Sequence, residues 1–382
     1  MRMGAIVAAT ALMLTTVQAA VAADLPKETQ KALASLKLNA SVLDGLDQEL
    51  AVPKAWLDAA AKEKEVLISG TWNAREFAAM TAPFKERYPF VELKYDRSGT
   101  SGRGQRVLVA LGEGRIIADV LTSIADAMPQ FDAAKALADM RDLPSFKSIP
   151  EDYVASDGTW ASFKLSFRCM AYNTDKVKKK DLPEKWEDLL TNPIWRDGRL
   201  GLSDHPNAWL LSLWSANGEK WGQDFTRRLF NDVQPQKRKE GMTQMTALTV
   251  AGEFYANIPS PEWVAQRYAK KGAPINYHCP IPVPISTSQI VMLEKSPRKN
   301  AARLFINWVL SREGQIMQYA DTFAVPVNKA LRSNDFLPFA DTIVGKPFVV
   351  RDETVLDDDL QKLVQDTWNG YWSGTAGTAT SK

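Results

Sequence analysis

Residues 65–95, EVLISGTWNAREFAAMTAPFKERYPFVELKY, carry the pattern that decides the fold. The run from Glu65 to Ser69 is apolar and short, as is typical of a buried strand. Asn73, with Glu76 three residues later, has the form of a capping box, which predicts the start of a helix. That helix should end at Pro89, and the alternating residues that follow predict a second strand.

The alternation of strands and helices continues beyond this stretch. A Gly/Ser loop over Ser98–Gly104 is predicted to precede a helix over Gln105–Leu111. A third strand is predicted over Ala118–Leu121 and a third helix over Ala125–Leu137. Strands that alternate with helices of this length predict an α/β fold, in which a largely parallel sheet is covered on both faces.

A second α/β unit is predicted to begin near Cys169 and to run to about Tyr277. A long β-like segment, Trp160–Tyr172, leads into it, and two more extended stretches, Ile275–Ile285 and Gln289–Leu293, follow it. The 382 residues are enough for two domains, because a single core rarely grows beyond roughly 250–300 residues.

The N-terminus has the form of a secretory signal peptide. Arg2 precedes the apolar run Ala5–Val17, which is too short to span a membrane, and Ala20-Val21-Ala22 fits a small-x-small cleavage site. Residues 1–23 are therefore expected to be removed. Since no cysteine lies near the cut, we expect a soluble periplasmic protein without a lipid anchor.

Composition and motifs argue against two classes of function. The formal net charge of +2 gives no basic field for nucleic acid. The glycine cluster over residues 99–104 is neither a nucleophile elbow nor a phosphate loop, and neither His205 nor His278 has a recognisable catalytic partner. We therefore predict no catalysis and no cofactor.

Five segments, in this order, are similar to a known family. The chain resembles the extracellular solute-binding proteins of ABC importers, in the branch that includes ferric-iron-binding proteins. The segments are FKERYPFVELKY (84–95), GRIIADVLTS (114–123), MAYNTDKV (170–177), LPEKWEDLLTNPIWRDGRLGLSD (182–204) and NAARLFINWVLSREGQ (300–315).

The resemblance implies a two-domain clamp, the type II periplasmic-binding-protein fold, in which two hinge strands join the domains and a solute binds between them. Domain 1 would comprise 63–165 and 280–372, and domain 2 would comprise 166–279. Residues 24–62 would form a helical N-terminal extension, and 373–382 a disordered tail. A permease of an ABC importer would be the protein partner, and the chain itself is expected to be monomeric.

Two cysteines, Cys169 and Cys279, would lie near the crossovers of that clamp. An exported compartment permits a disulfide between them, but they can also be two separate buried residues. A bridge there would stiffen the hinge.

In open α/β sheets, ligands bind at the carboxyl ends of strands, where helices begin. Hydroxyls, helix N-termini and an arginine at those ends favour a small organic anion, such as a carboxylate or a phosphonate. Trp72 can equally be a packing residue, and the arginines can be solvated loop charges. The candidate ligand-binding residues are Thr71, Trp72, Asn73, Arg97, Ser98, Thr100, Ser101, Thr122, Ser123, Asp204, His205 and Asn207.

Two alternatives keep the fold and change the role. Iron-binding members of the family use a tyrosine pair after the "GE" segment of domain 2, whereas this chain has the single Tyr255 after Gly252-Glu253. A metal site built on Tyr255 or His205 is therefore the weaker interpretation. The other alternative is a protein that presents its solute to a sensor.

Overall fold

The computed structural model describes residues 25–98, 100–124, 127–350 and 358–375. The predicted signal peptide and residues 376–382 of the predicted tail lie outside this part of the chain.

The strands form one mixed sheet. Their order is β2-β1-β3-β9-β4-β7-β5-β6, with β10 paired to β9 and β8 paired to β4. β1 is parallel to β2 and to β3, and β9 is antiparallel to β3 and to β4. The strands are β1 (Glu65–Gly70), β2 (Glu92–Arg97), β3 (Val120–Thr122), β4 (Ala161–Asn173), β5 (Leu200–Ser203), β6 (Gln236–Arg238), β7 (Ala256–Pro261), β8 (Ile275–His278), β9 (Val283–Met292) and β10 (Phe348–Val350).

Helices flank this sheet. They are α1 (Lys27–Leu36), α2 (Leu46–Leu50), α3 (Lys54–Glu63), α4 (Ala74–Met80), α5 (Ala82–Arg87), α6 (Thr100–Gly112), α7 (Met128–Ala133), α8 (Asp188–Thr191), α9 (Leu210–Asn217), α10 (Glu219–Arg228), α11 (Met242–Ala251), α12 (Glu262–Ala269), α13 (Lys299–Leu310), α14 (Arg312–Thr322) and α15 (Asp358–Ser373). The predicted α/β class is confirmed.

The predicted loop over Ser98–Gly104 is wrong, because α6 already begins at Thr100. Gly104 lies within this helix, and a Cβ placed on it would stand 2.4 Å from the Cβ of Ala127. The glycine therefore permits close packing of α6 rather than a turn. The third helix is also shorter than predicted, since α7 spans only Met128–Ala133 among the described residues.

The strands β4 and β9 connect the two halves of the molecule. β4 pairs with β9 through Ala161–Phe167, and from Arg168 onward it pairs with β7 and β8 instead. We call the part built around β1, β2 and β3 the first unit, and the part built around β5, β6, β7 and β8 the second unit. The long β4 segment was predicted over Trp160–Tyr172, and its existence is confirmed.

Each unit has its own apolar core. Ile68, Phe84 and Phe305 are fully buried in the first. The core of the second contains four buried tryptophans of that unit, together with Val364 and Trp368 of α15. The predicted boundary placed residues up to 372 in the first domain, but the apolar face of α15 packs on the second unit.

The predicted N-terminal extension is helical and is fixed to the first unit by a buried carboxylate. Glu49 accepts hydrogen bonds from the backbone N–H of Arg312 (2.8 Å), from the Ser148 hydroxyl (3.0 Å) and from the Asn328 amide (3.1 Å). Its carbonyl oxygen also accepts from Asn307 (2.8 Å). Because a buried carboxylate is costly unless its oxygens are bonded, this network fixes the extension in place.

A disulfide joins Cys169 in β4 to Cys279, which directly follows β8. The two residues are 110 positions apart, so the bridge closes a loop that contains nearly all of the second unit. Both cysteines are fully buried. In the chain-entropy model, a loop of about 100 residues gives a stabilisation of about 4.7 kcal/mol.

Replacing both cysteines (Cys169→Ala with Cys279→Ala) is expected to lower the free energy of unfolding by about 3–5 kcal/mol, because the unfolded chain regains the freedom of that loop. Urea unfolding followed by tryptophan fluorescence measures the change. Wild-type protein unfolded with a reductant provides the control, since it lacks the bridge without a change of sequence. Equal midpoints for oxidised wild type and the double variant would contradict the expectation.

Candidate functional site

A cavity of about 120 Å³ lies where the two units meet. The turn from β1 to α4 supplies one wall, β4 the floor, and α12 the opposite wall. Thr322, the last residue of α14, and Ala324, which follows the helix, complete the cavity. Its lining residues are Thr71, Trp72, Glu76, Lys164, Trp263, Arg267, Thr322 and Ala324.

Trp72 is held by aromatic packing. Its ring centroid lies 5.2 Å from that of Phe163 and 6.0 Å from that of Phe77, and only 3% of the residue is exposed. Among the residues that the structure describes, its buried indole Nε1 has no hydrogen-bond acceptor. Because a buried indole N–H usually finds a partner, an acceptor that reached this nitrogen would satisfy it.

Lys164 projects from β4 into the same cavity. Among the described residues its ammonium has no hydrogen-bond acceptor and no carboxylate within ion-pair distance, and it lies 5.5 Å from the centroid of the Phe163 ring. Burial lowers the pKa of Lys164 to about 8, and the positive charge of Arg168 adds to this effect. An anion beside this ammonium would stabilise its charged form and so offset the cost of its burial.

Glu262, the first residue of α12, is fully buried close to the cavity. One carboxylate oxygen, Oε2, accepts hydrogen bonds from the backbone N–H of Phe167 (2.7 Å) and from the Ser166 hydroxyl (3.0 Å). Its Oε1 has no hydrogen-bond partner within the described ranges. Burial raises the pKa of Glu262 to about 7, although the charge of Arg168 opposes the shift.

An outer groove of about 390 Å³ adjoins the cavity, and Glu76 and Arg267 line both. Four of its residues are cationic and two are acidic. Its lining residues are Asn73, Arg75, Glu76, Arg267, Lys270, Lys271, Asp321 and Phe323.

Three of the residues predicted from the first unit reach these spaces. Thr71 and Trp72 line the cavity, and Asn73 lines the outer groove while it caps α4 through Glu76. The predicted capping box is confirmed, and so is the packing of Trp72 on the following helix.

Other predicted residues of the first unit do not line the cavity or the outer groove. Arg97 is exposed at the end of β2, and Ser98 accepts from Arg103. Arg103 is fully buried and donates to the carbonyl oxygens of Ser98, Thr122 and Ser123. This arginine therefore connects the loops at the ends of β2 and β3. The backbone of Thr100 and Ser101 lies in α6, but their side chains are outside the described part.

Thr122 and Ser123 end β3 beneath these loops. Thr122 is fully buried and its hydroxyl has no partner among the described residues. Ser123 has a φ of 55°, and its N–H donates to the carbonyl of Gln289 (2.7 Å). Neither residue lines the cavity.

The three residues predicted from the second unit make contacts within that unit. Asp204 accepts from the indole N–H of Trp368 (2.9 Å), and Asn207 donates to Gln365 (3.4 Å). His205 pairs through Nδ1 with the hydroxyl of Ser203 (2.7 Å), and burial lowers its pKa. Helix α15 thus engages two side chains that the sequence had assigned to solute.

Sequence reasoning missed Lys164, Trp263 and Arg267. A signal for Lys164 was present, because it is a single cation within the apolar first half of β4, WASFKLSF. Arg168 follows at an interval of four, which places the two on one face of a regular strand. No comparable signal marked Arg267, since its helix reaches the cavity only through the packing of the two units.

Tyr255 lies away from the cavity, in contact with the second core, with the Arg199 guanidinium 5.6 Å from its ring. In the described part of the chain, no three His, Cys, Asp or Glu side chains are grouped so that they could hold a metal ion. Over the same part, no helix is long and apolar enough to cross a membrane.

The family model "Bacterial extracellular solute-binding protein" matches residues 79–340. No curated protein sequence matches this chain.

Solved structures with the same architecture include iron-bound HitA from Pseudomonas aeruginosa. It is 18% identical over 79% of this chain and 99% of its own, with a TM-score of 0.66. AfuA from Actinobacillus pleuropneumoniae with fructose-6-phosphate is 17% identical over 81% and 99%, with a TM-score of 0.63. A Trichodesmium protein (IdiA, FutA) with iron and citrate is 16% identical over 82% and 99%, also with a TM-score of 0.63.

The raised pKa of Glu262 predicts a specific dependence of stability on pH. The native state holds a proton up to about pH 7, whereas the unfolded chain releases it near the ordinary value of 4.5. The wild type should therefore lose stability as pH rises between these values, by roughly 3 kcal/mol in total. In Glu262→Gln this loss should be absent. Urea unfolding at several pH values tests it, and parallel curves for the two proteins would contradict it.

Proposed function

The chain belongs to the bacterial extracellular solute-binding proteins and has their type II periplasmic-binding-protein fold, and we propose that it captures a small organic anion between its two units for an ABC importer. A carboxylate or a phosphonate is the proposed class of solute. The family supplies the substrate-binding component of import systems; its members bind solutes and are not enzymes.

The composition of the cavity carries this proposal. In the described part of the chain, the buried indole N–H of Trp72 has no acceptor and the Lys164 ammonium has no carboxylate partner. Arg267 and the hydroxyl of Thr71 also line the cavity. Trp72 and Lys164 suit an oxyanion, because bonds to it would satisfy a buried N–H and balance charge at once, whereas Arg267 already donates to Glu76.

The electrostatic balance around the cavity supports the same class. Lys164 and Arg168 are cationic, the charges of Arg267 and Glu76 offset each other in an ion pair, and Glu262 is held with a raised pKa. Two of the structurally similar proteins are named with organic anions, fructose-6-phosphate in one and citrate in the other. They support the proposal only as examples of what this fold accommodates.

Capture would proceed by closure of the second unit over a solute that first contacts the first unit. Lys164 lies on β4 within the segment that pairs with β9, so it stays at the junction as the units rotate. Arg267 and Trp263, by contrast, arrive with α12. Closure would exclude water and strengthen the contacts of the anion with both cations.

The proposal extends to location and partners. The mature chain would act in the periplasm as a monomer, without a lipid anchor, and would deliver its solute to permease subunits. Delivery to a sensor remains the alternative role for the same binding event.

Lys164→Met is expected to reduce the affinity for the anion about 10- to 100-fold, because it removes one charge-assisted contact and keeps most of the volume of the side chain. Native mass spectrometry of protein purified without refolding, followed by a thermal-shift screen of carboxylates, phosphonates and ferric salts, identifies the solute. Titration calorimetry then compares the variants.

Lys220→Met, at an exposed position of α10, is the matched control and should bind like the wild type. Stabilisation by ferric salts alone, or equal affinities for Lys164→Met and the wild type, would overturn the proposed class of solute.

A further inference from the structure

Glu76 and Arg267 form an ion pair that connects the two units. The Glu76 carboxylate, on α4 of the first unit, lies 2.5 Å from the Arg267 guanidinium, on α12 of the second. Of the ion pairs between described residues, only this one joins a residue of the first unit to a residue of the second. The side chains are 16% and 33% exposed, so the pair is partly shielded from solvent ions.

Each partner also makes a contact within its own unit. The second oxygen of Glu76, Oε2, accepts from the backbone N–H of Asn73 (3.0 Å), and the Asn73 side chain accepts from the N–H of Glu76 (2.8 Å). On the other side, the Arg267 guanidinium lies 4.8 Å from the centroid of the Trp263 ring. Neither side chain needs much further ordering to form the pair, so little of its attraction is lost to entropy.

The pair occupies the boundary between the two spaces of the cleft. Glu76 and Arg267 line both the cavity and the outer groove, whereas Lys164 lines only the cavity and Lys270 only the groove. Separation of the units would break this contact and connect the cavity to the groove.

We infer that the Glu76–Arg267 pair is a latch that sets the balance between open and closed forms of the protein before solute binds. The inference rests on the proposed closure mechanism but not on the class of solute. Since the open form leaves both groups in water, the pair favours the closed form by its attraction less the cost of partly desolvating the two charges. Solute affinity then depends on how often the protein is already closed.

The test measures the distance between the units without any solute. Fluorophores attached to Glu92→Cys in β2 and Lys220→Cys in α10, both exposed positions, report this distance by single-molecule energy transfer. Glu76→Gln removes the charge but keeps an acceptor for the N–H of Asn73, so the cap of α4 is preserved. The variant is expected to raise the ratio of open to closed molecules roughly three- to tenfold.

A double-mutant cycle separates the latch from unrelated effects. Arg267→Gln should shift the ratio by a similar factor, and the double variant should shift it no further than the larger of the single variants. Asp224→Asn, which breaks an exposed ion pair within the second unit, is the control and should leave the ratio unchanged.

Three results would overturn the latch: a wild type that is already fully open, a Glu76→Gln ratio equal to that of Asp224→Asn, or fully multiplicative effects in the double variant. Because no solute is present, failure here leaves the proposed function standing. A failed solute screen likewise leaves the latch standing.

Discussion

The antiparallel pairing of β4 with β9 is the constraint on which the rest of the structure depends. Through Ala161–Phe167 these strands join two units into one sheet, and beyond Arg168 β4 becomes part of the second unit. Each unit buries its own aromatic core, so under the proposed closure each would keep its shape while the strands between them bend. The disulfide fastens the second unit at its start and its end, just beyond this pairing.

The chemistry of the cleft follows from that arrangement. β4 carries Lys164 to the junction, where burial depresses its pKa and where Trp72 lines the same cavity. A lysine in this setting is costly for the protein by itself, because its charge is only partly solvated and has no ion-pair partner among the described residues. A bound oxyanion would remove that cost, so the same feature that weakens the free protein favours capture.

Two glutamates, Glu49 in the first unit and Glu76 at the cleft, make ionic contacts with different roles. Glu49 is a permanent attachment, because its partners surround it inside the first unit. Glu76 has one oxygen committed to its own helix and one directed across the cleft, so it can stabilise closure without being essential to the fold. The same residue type therefore serves architecture in one case and conformational balance in the other, according to whether its partner can move away.

The sequence by itself determined the α/β class, the long crossover strand and the capping box at Asn73, because each depends on periodicity or on neighbours within a few residues. The local sequence pattern also predicted that Thr71 and Trp72, just after β1, are candidate ligand-binding residues, and both line the cavity. It could not show that Arg103 is buried or that α15 engages Asp204, since those contacts join distant segments. Only the tertiary structure brought Lys164, Trp263 and Arg267 to one cavity, because the packing of two separate units places them there and no short-range pattern encodes it.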